Sequence, residues 1–323
     1  MIDLSKNENL GNAKQSKYDE YYTRYEDIEK EIEVYYAYDR NVFRNKVILL
    51  PCDDPEWSNF TKYFVTNFTR FGIKKLISTS YSDKMFGEYF VMTKTCVYHR
   101  CLSCNGDFRS EEVTNFRDEA DIIITNPPFS LFREFLDWIM KANKQFIILG
   151  TVNMLTYKNV FQYFKDNKMW FGHMSLNRDM YFNIPYSRRL WLLNHKKEGY
   201  AYKCINGNVF GRLASSCWFT NLDHGKRNNM LDLSGNYYVS ENYPKYDNYD
   251  AIEVSRVNDI PSDYYGTMGV PITFLAKYNP EQFEIIGNSA KLAKPVVVDG
   301  HKKSGRFYVN GKRMYDRVVI KRK

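Results

Sequence analysis

Residues 120–132, ADIIITNPPFSLF, constrain this chain more than any other stretch. Ile122, Ile123 and Ile124 read as a buried strand that stops at Asn126-Pro127-Pro128-Phe129, and a helix-like segment follows. Two successive prolines remove two backbone donors and fix two φ angles, so the turn is rigid and its carbonyls point outward. Beside them stand an amide, which accepts and donates, and an aromatic ring. This set suits a planar base with an exocyclic amine. The Asn126 oxygen and the Pro127 carbonyl would accept its two N–H bonds, Phe129 would stack on its face, and Pro128 would stiffen the turn. The bland alternative is a rigid loop after a strand.

The flanking pattern alternates strands with helices. A helix is expected within Lys17 to Tyr38, with Ile28, Ile32 and Tyr35 at helical spacing. Strands are expected at 46–50 (KVILL), 74–81 (KKLISTSY), leading into Asn105-Gly106-Asp107-Phe108, at DIIIT, and at 144–150 (KQFIILG). Helices are expected near 57–70 and over SLFREFLDWIMKAN, a short one within SEEVTNFRDE, and a loop at 82–95. Such alternation predicts an α/β fold with a doubly wound, mostly parallel sheet, whose ligands bind beyond the carboxyl ends of the strands. Four segments are expected: a flexible start at 1–16, a catalytic core at 17–172, a smaller β-rich region at 173–260, and a C-terminal segment at 261–323 that packs on the core.

Lys and Arg number 46 against 38 Asp and Glu, a net charge of +8, and 17% of residues are aromatic. A basic surplus with many aromatics suits phosphates and stacked bases, although a well-solvated surface would carry the same charge. No apolar run approaches the length of a membrane span, and the first residues lack the apolar core of a signal peptide. A cytoplasmic protein with reduced cysteines is therefore expected. Cys96, His99, Cys101 and Cys104 lie too close together for a usual zinc knuckle, so no metal is assigned.

Two further loops carry chemistry. LLPCDDPEWSNF (49–60) follows the first strand without a glycine, which weighs against a pyrophosphate cradle. It offers Pro51, Cys52, Asp53 and Asp54, and carboxylates suit a cationic amine; the plain alternative is an acidic turn capping the next helix. At Asn105–Phe108, Asp107 could accept an adenine amino group while Phe108 stacks on the ring, or the segment is an Asn-Gly turn.

On successive strands, these three loops resemble motifs I, III and IV of amino-group methyltransferases that use S-adenosylmethionine. The stretches CDDPEWSNFTKYF, NGDFRSEE, TNPPFSLFREFLD, CWFTNLD, YPKYDNYDAIEV and MGVPITFLAKYNPEQFEIIG, with SKYDEYYTRYEDIE near the start, are similar to the EcoRI-type adenine-specific DNA methyltransferases. That resemblance covers most of residues 16–287. It implies a Rossmann-like methyltransferase core that moves a methyl group from S-adenosylmethionine to N6 of a flipped-out adenine in a short duplex DNA site. A modification enzyme of a restriction-modification system is expected, acting as a monomer alongside a separate restriction endonuclease and with no obligatory protein partner, although the sequence itself does not show whether an endonuclease accompanies it. By position, Tyr22 and Thr23 match the motif at the methionine end of the cofactor, and Pro51, Cys52 and Asp53 match motif I. Asp107 and Phe108 match the adenine-binding motif, and Asn126, Pro127, Pro128 and Phe129 the target-base motif.

Two stretches depart from the pattern. Ser80-Tyr81-Ser82 stands where many relatives place a carboxylate for the ribose, leaving only Asp83 nearby, and 174–212 does not follow the family. The interleaved basic and aromatic residues of 173–260 are expected to read DNA, with Arg178, Arg188 and Arg189 as candidates. Competing readings are an N4-cytosine or RNA amino-methyltransferase, and a non-catalytic DNA-binding protein on a degenerate methyltransferase fold.

Overall fold

The computed structural model describes residues 21–83, 86–174, 176, 179–238, 242–298 and 300–323. The expected flexible start at 1–16, the first residues of the expected helix at 17–20, and Arg178 lie outside the described residues. The chain divides into two compact units. The first draws on Met1–Gln162 and Phe171–His224, the second on Tyr163–Trp170 and Gly225–Lys323.

In the first unit, helix α1 (Tyr25–Tyr38) leads into strand β1 (Val47–Pro51) and helix α2 (Asn59–Thr66). Then come β2 (Lys75–Thr79), β3 (Glu88–Thr93), β4 (Val97–Cys101), α3 (Glu111–Glu119) and β5 (Ile122–Thr125). Helix α4 (Phe132–Lys141) and β6 (Gln145–Thr151) follow. Strands β2, β1, β5 and β6 run parallel, each hydrogen-bonded to the next. Consecutive strand residues face opposite sides. Ile48, Leu50, Ile122, Ile124, Ile147 and Leu149 share one core with Ile28 and Ile32 of α1 and Phe60, Tyr63 and Phe64 of α2. Leu49, Ile123 and Ile148, facing the other way, are fully buried too. Burial on both faces is why these strands read as unbroken apolar runs. Helix α4 buries Phe132, Phe135, Leu136 and Ile139, the spacing of a single helix face.

Several expectations are corrected. The expected loop at 82–95 contains β3, antiparallel to β2, and β4 is antiparallel to β3. Asp107 therefore follows an antiparallel hairpin, not a third parallel strand. The expected helix at 57–70 is α2 plus one turn at Phe68–Phe71, which stops at Gly72 in the left-handed conformation. Residues 173–260 do not form one β-rich region. A three-stranded antiparallel sheet of Met180–Phe182, Asn208–Leu213 and Tyr202–Ile205 holds a ten-residue helix, α5 (Tyr186–His195), within its span. Ser216–Thr220 joins the large sheet beside β6, placing Trp218 in the main core. The mixed α/β fold thus has a parallel centre and antiparallel flanks.

The second unit carries a five-stranded sheet ordered Lys245–Tyr246, Tyr249–Glu253, Met268–Pro271, Arg317–Arg322 and Phe283–Asn288. Residue 260 thus falls between strands of one sheet, so 261–323 is no separate segment. Buried Glu253 and Arg317 pair at 2.6 Å within it, and the Tyr246 hydroxyl also donates to Glu253.

Candidate active site

The loop after β1 turns sharply at Cys52, whose φ of 64° is unusual for a residue with a side chain. The turn brings Asp53 N–H onto the Thr79 carbonyl at the end of β2 (2.9 Å) and folds the Asp53 carboxyl inward. Ser58, the N-cap of α2, accepts from Phe60 N–H and donates to Asp53 Oδ1 at 2.8 Å. Thr125 Oγ1 lies 2.8 Å from Asp53 Oδ2 and also bonds the Pro51 carbonyl. A hydroxyl has one proton and a carbonyl can only accept. If Thr125 gives its proton to Pro51, the contact with Asp53 needs a proton on the carboxyl. Burial accordingly pushes the Asp53 pKa up to about 7, although the two hydroxyls oppose the shift. Burial also pushes the Cys52 thiol well up, so it is no thiolate near neutrality. Asp53 joins the ends of β1, β2 and β5. Asp54 beside it stays half-buried, one oxygen accepting from Glu56 N–H (2.9 Å).

The loop holding Asp107 lies across the end of β2. Gly106 approaches the Ser80 carbonyl so closely that a Cβ there would fall 1.9 Å from it, and its φ is +79°. Asp107 is held by Arg109, with Nη2 to Oδ2 at 2.8 Å and Nε to Oδ1 at 3.0 Å. That bidentate pair also holds the guanidinium above its ordinary pKa. Phe108 is only 2% exposed and packs edge-on to Phe135 and Trp138.

At the end of β5 the Asn126 amide nitrogen donates to the Tyr21 carbonyl at 2.6 Å. That bond decides which way the amide points. It leaves Asn126 Oδ1 buried without a hydrogen-bond partner, and Thr23 Oγ1 is buried and unpartnered as well. The segment carrying Tyr21 to Thr23 is fixed by two backbone bonds between Tyr22 and Asn183 (2.9 Å each) and by Asn59 Nδ2 on the Thr23 carbonyl (2.8 Å). Together these loops enclose a cavity of about 520 Å³.

Of the sequence-derived residues, Tyr22, Thr23, Cys52, Asp53, Phe108, Asn126 and Pro128 line this cavity. Pro51, Asp107, Pro127 and Phe129 do not, although each adjoins a residue that does. Pro127 is buried, and Phe129 packs against the main core. Arg188 and Arg189 lie on α5 away from the lining. The Arg188 guanidinium rests over the Trp191 ring at 4.4 Å, and Arg189 Nε donates to the Ile184 carbonyl. Asp83 is exposed and off the lining; Ser80 and Tyr81 are on it. Sequence reasoning missed Trp57, Asn59 and Asn183. The first two sit in the quoted loop, but nothing local marks Asn183, which arrives through a bridge spanning 161 residues. Around the cysteine cluster, His99 pairs with Glu88 at 3.0 Å and Cys104 contacts Ser110. Among the described residues no group of three or more His, Cys, Asp or Glu is arranged to hold a metal.

The profile of the family described as adenine-specific methyltransferase EcoRI matches residues 9–323. The chain belongs to that family. It is 42% identical to the type II methyltransferase M.EcoRI of Escherichia coli, over 98% of this chain and 97% of the relative. It is 39% identical to the type II methyltransferase M.MgeORF184P of Mycoplasma genitalium and 36% identical to M.MpnI of Mycoplasma pneumoniae. Both of these matches cover 96% of this chain and 97% of the relative. No solved structure matches it significantly. As a member of the EcoRI methyltransferase family the protein is an adenine-specific methyltransferase. No helix among the described residues is long and apolar enough to cross a membrane.

Proposed function

We propose that this protein, an adenine-specific DNA methyltransferase by family, methylates N6 of an adenine flipped out of a duplex, with S-adenosylmethionine as donor. The first unit then acts as a doubly wound, Rossmann-like methyltransferase core. The observation that carries the reading is the buried, unpartnered Oδ1 of Asn126 on the wall of the cavity. A buried acceptor left unpaired costs roughly 1–3 kcal/mol, a cost that a ligand N–H would relieve. The Asn126–Tyr21 bond presents this oxygen as an acceptor in advance.

The residues present fit the donor. The cavity lies within the size range of cofactor pockets. Thr23 Oγ1 offers a second unsatisfied group, Asp54 a partly exposed carboxylate for a cationic amine, and Trp57 and Tyr81 rings for stacking. S-adenosylmethionine supplies a methyl group on sulfonium sulfur, already activated for transfer.

Flipping the target costs roughly a few kcal/mol and exposes an amine whose lone pair is delocalised into the ring. Asn126 Oδ1 on the cavity wall and the carbonyl of Pro127, which lies between the lining residues Asn126 and Pro128, would accept its two N–H bonds and favour a more tetrahedral nitrogen. They then stabilise the positive charge that develops there. Neither group is a base at neutral pH, so the surplus proton leaves after the methyl group has moved. Asp53, bonded to Ser58 and Thr125, positions the loop on the cavity wall. A role as the modification partner of a restriction endonuclease follows from the same reading.

The test is expression in a methylation-free host and mapping of modified bases. N6-methyladenine within one short motif is expected; N4-methylcytosine, or unmodified DNA from soluble protein, would overturn the reading.

A further inference from the structure

The positive charge is concentrated at one end of the chain. Residues 290–323 hold eleven Lys and Arg against two acids, Asp299 and Asp316. The remainder, 46 − 11 = 35 basic and 38 − 2 = 36 acidic residues, is close to neutral. Residues 173–260, with eleven basic and nine acidic residues, carry almost none of the surplus.

In the second unit four of these eleven, Lys302, Lys303, Lys312 and Arg313, lie on two hairpins, Val296–Val298 with His301–Lys303 and Tyr308–Val309 with Lys312–Arg313. Lys302, Lys303, Arg306 and Arg313 line an open cleft of about 470 Å³ together with Ser304 and Tyr308. Arg306 pairs with Asp316 at 2.8 Å, while Lys302, Lys303 and Arg313 make no ion pair among the described residues.

The cleft is held in shape from beneath. Buried Asn248 donates to the carbonyls of Lys294 (2.7 Å) and Arg306 (2.9 Å) and accepts from Tyr308 N–H (3.1 Å). One amide thus ties the foot of the first hairpin to the second. The Asp247 carboxylate takes the N–H groups of Asn310 and Gly311 and fixes the second hairpin's tip. Gathering unpaired cations around a fixed concavity costs self-repulsion that a bound polyanion removes.

We propose that this cleft is a phosphate clamp that grips the backbone of duplex DNA, and that it supplies a large share of the electrostatic affinity. The proposal rests on the reading that duplex DNA is the substrate. Backbone contacts carry no sequence information, so the clamp anchors the duplex without choosing the target.

The test compares the full chain with Lys302→Ala/Lys303→Ala and with Arg313→Ala. Affinity for a cognate duplex and a scrambled duplex is measured across a salt series, with thermal and chemical denaturation of the full chain as the folding control. Each lost phosphate contact lowers the slope of log K against log salt by about 0.9, so the double variant should lose close to two. Affinity at low salt should fall at least about tenfold on both duplexes, leaving their ratio unchanged, and Lys302→Arg/Lys303→Arg should restore it. An unchanged slope in both variants overturns the clamp, as does a loss confined to the cognate duplex, which would indicate base reading. A wild-type protein that binds RNA or anionic vesicles but not duplex DNA overturns the substrate reading itself.

Discussion

The side-chain amide of Asn126 is bonded to the backbone carbonyl of Tyr21, 105 residues earlier in the chain, at 2.6 Å. Through this bond the N-terminal segment orients the amide at the end of β5. The amide nitrogen is spent on the protein, and the oxygen is left for a substrate. The rigid Asn-Pro-Pro turn supplies the position, and Tyr21 the polarity.

Asn126→Ala removes that acceptor and leaves the cavity open. Single-turnover methyl transfer should fall at least about a hundredfold, the scale of one lost transition-state hydrogen bond, with little change in DNA or cofactor affinity. A near-normal rate in rapid-quench measurements would remove Asn126 from the chemistry.

The Asp53 carboxyl titrates near 7 in the fold, above its unfolded value near 3.9. The native state therefore binds this proton more tightly. The resulting stability is full below pH 4 and is lost as pH rises through 7, at no more than about 1.4 kcal/mol per unit. Asp53→Asn keeps the shape and a donor toward Thr125 but cannot titrate. Urea unfolding at pH 5 and pH 8 should show a larger loss in the wild type than in the variant. Equal losses would mean that Asp53 does not hold a proton in the folded state.

Phe108 and Trp57 both face the cavity, but Phe108 is 2% exposed and Trp57 45%. Phe108→Ala should cost about 3–5 kcal/mol of stability, as for a buried aromatic. Trp57→Ala should leave the melting temperature nearly unchanged and weaken S-adenosylmethionine by roughly 1–3 kcal/mol, the order of a stacking contact. Calorimetric titration alongside thermal melts separates the two, and unchanged affinity in Trp57→Ala would remove its ring from the binding surface.

Arg317 and Glu253, 7% and 2% exposed, neutralise each other inside the five-stranded sheet. Arg317→Met leaves Glu253 buried without its cation and should destabilise the second unit by about 3–5 kcal/mol. Arg317→Met with Glu253→Gln should recover part of that loss in chemical denaturation. No recovery would show that the packing of Arg317, not its charge, matters.

Much of the central fold was legible in the sequence because its signals are local. Strands β1, β5 and β6 are built on the apolar runs Val47–Leu50, Ile122–Ile124 and Phe146–Leu149, closed by proline, threonine-asparagine and glycine-threonine, and α4 repeats its apolar face with helical spacing. Such patterns follow from backbone geometry and burial, which a short window contains. The Asn-Pro-Pro-Phe turn was legible for the same reason, since proline's constraint travels with the residue. Family membership was legible because long motif runs survive in the primary structure.

What the sequence did not determine depends on which distant groups meet. Asp53 and Asp54 are adjacent and chemically alike, yet only Asp53 meets Ser58 and Thr125 and is buried. Asp107 read as a free acceptor until Arg109 turned back onto it, and Phe108 as a stacking ring until Phe135 and Trp138 closed around it. Asn183 reaches the cavity only through its bridge to Tyr22, and Ser216–Thr220 enters the large sheet from beyond residue 200. The residue types and the rigid turn were written in the chain. Burial, protonation and orientation depend on the dielectric and the partners around each group, and those exist only once the chain has closed on itself.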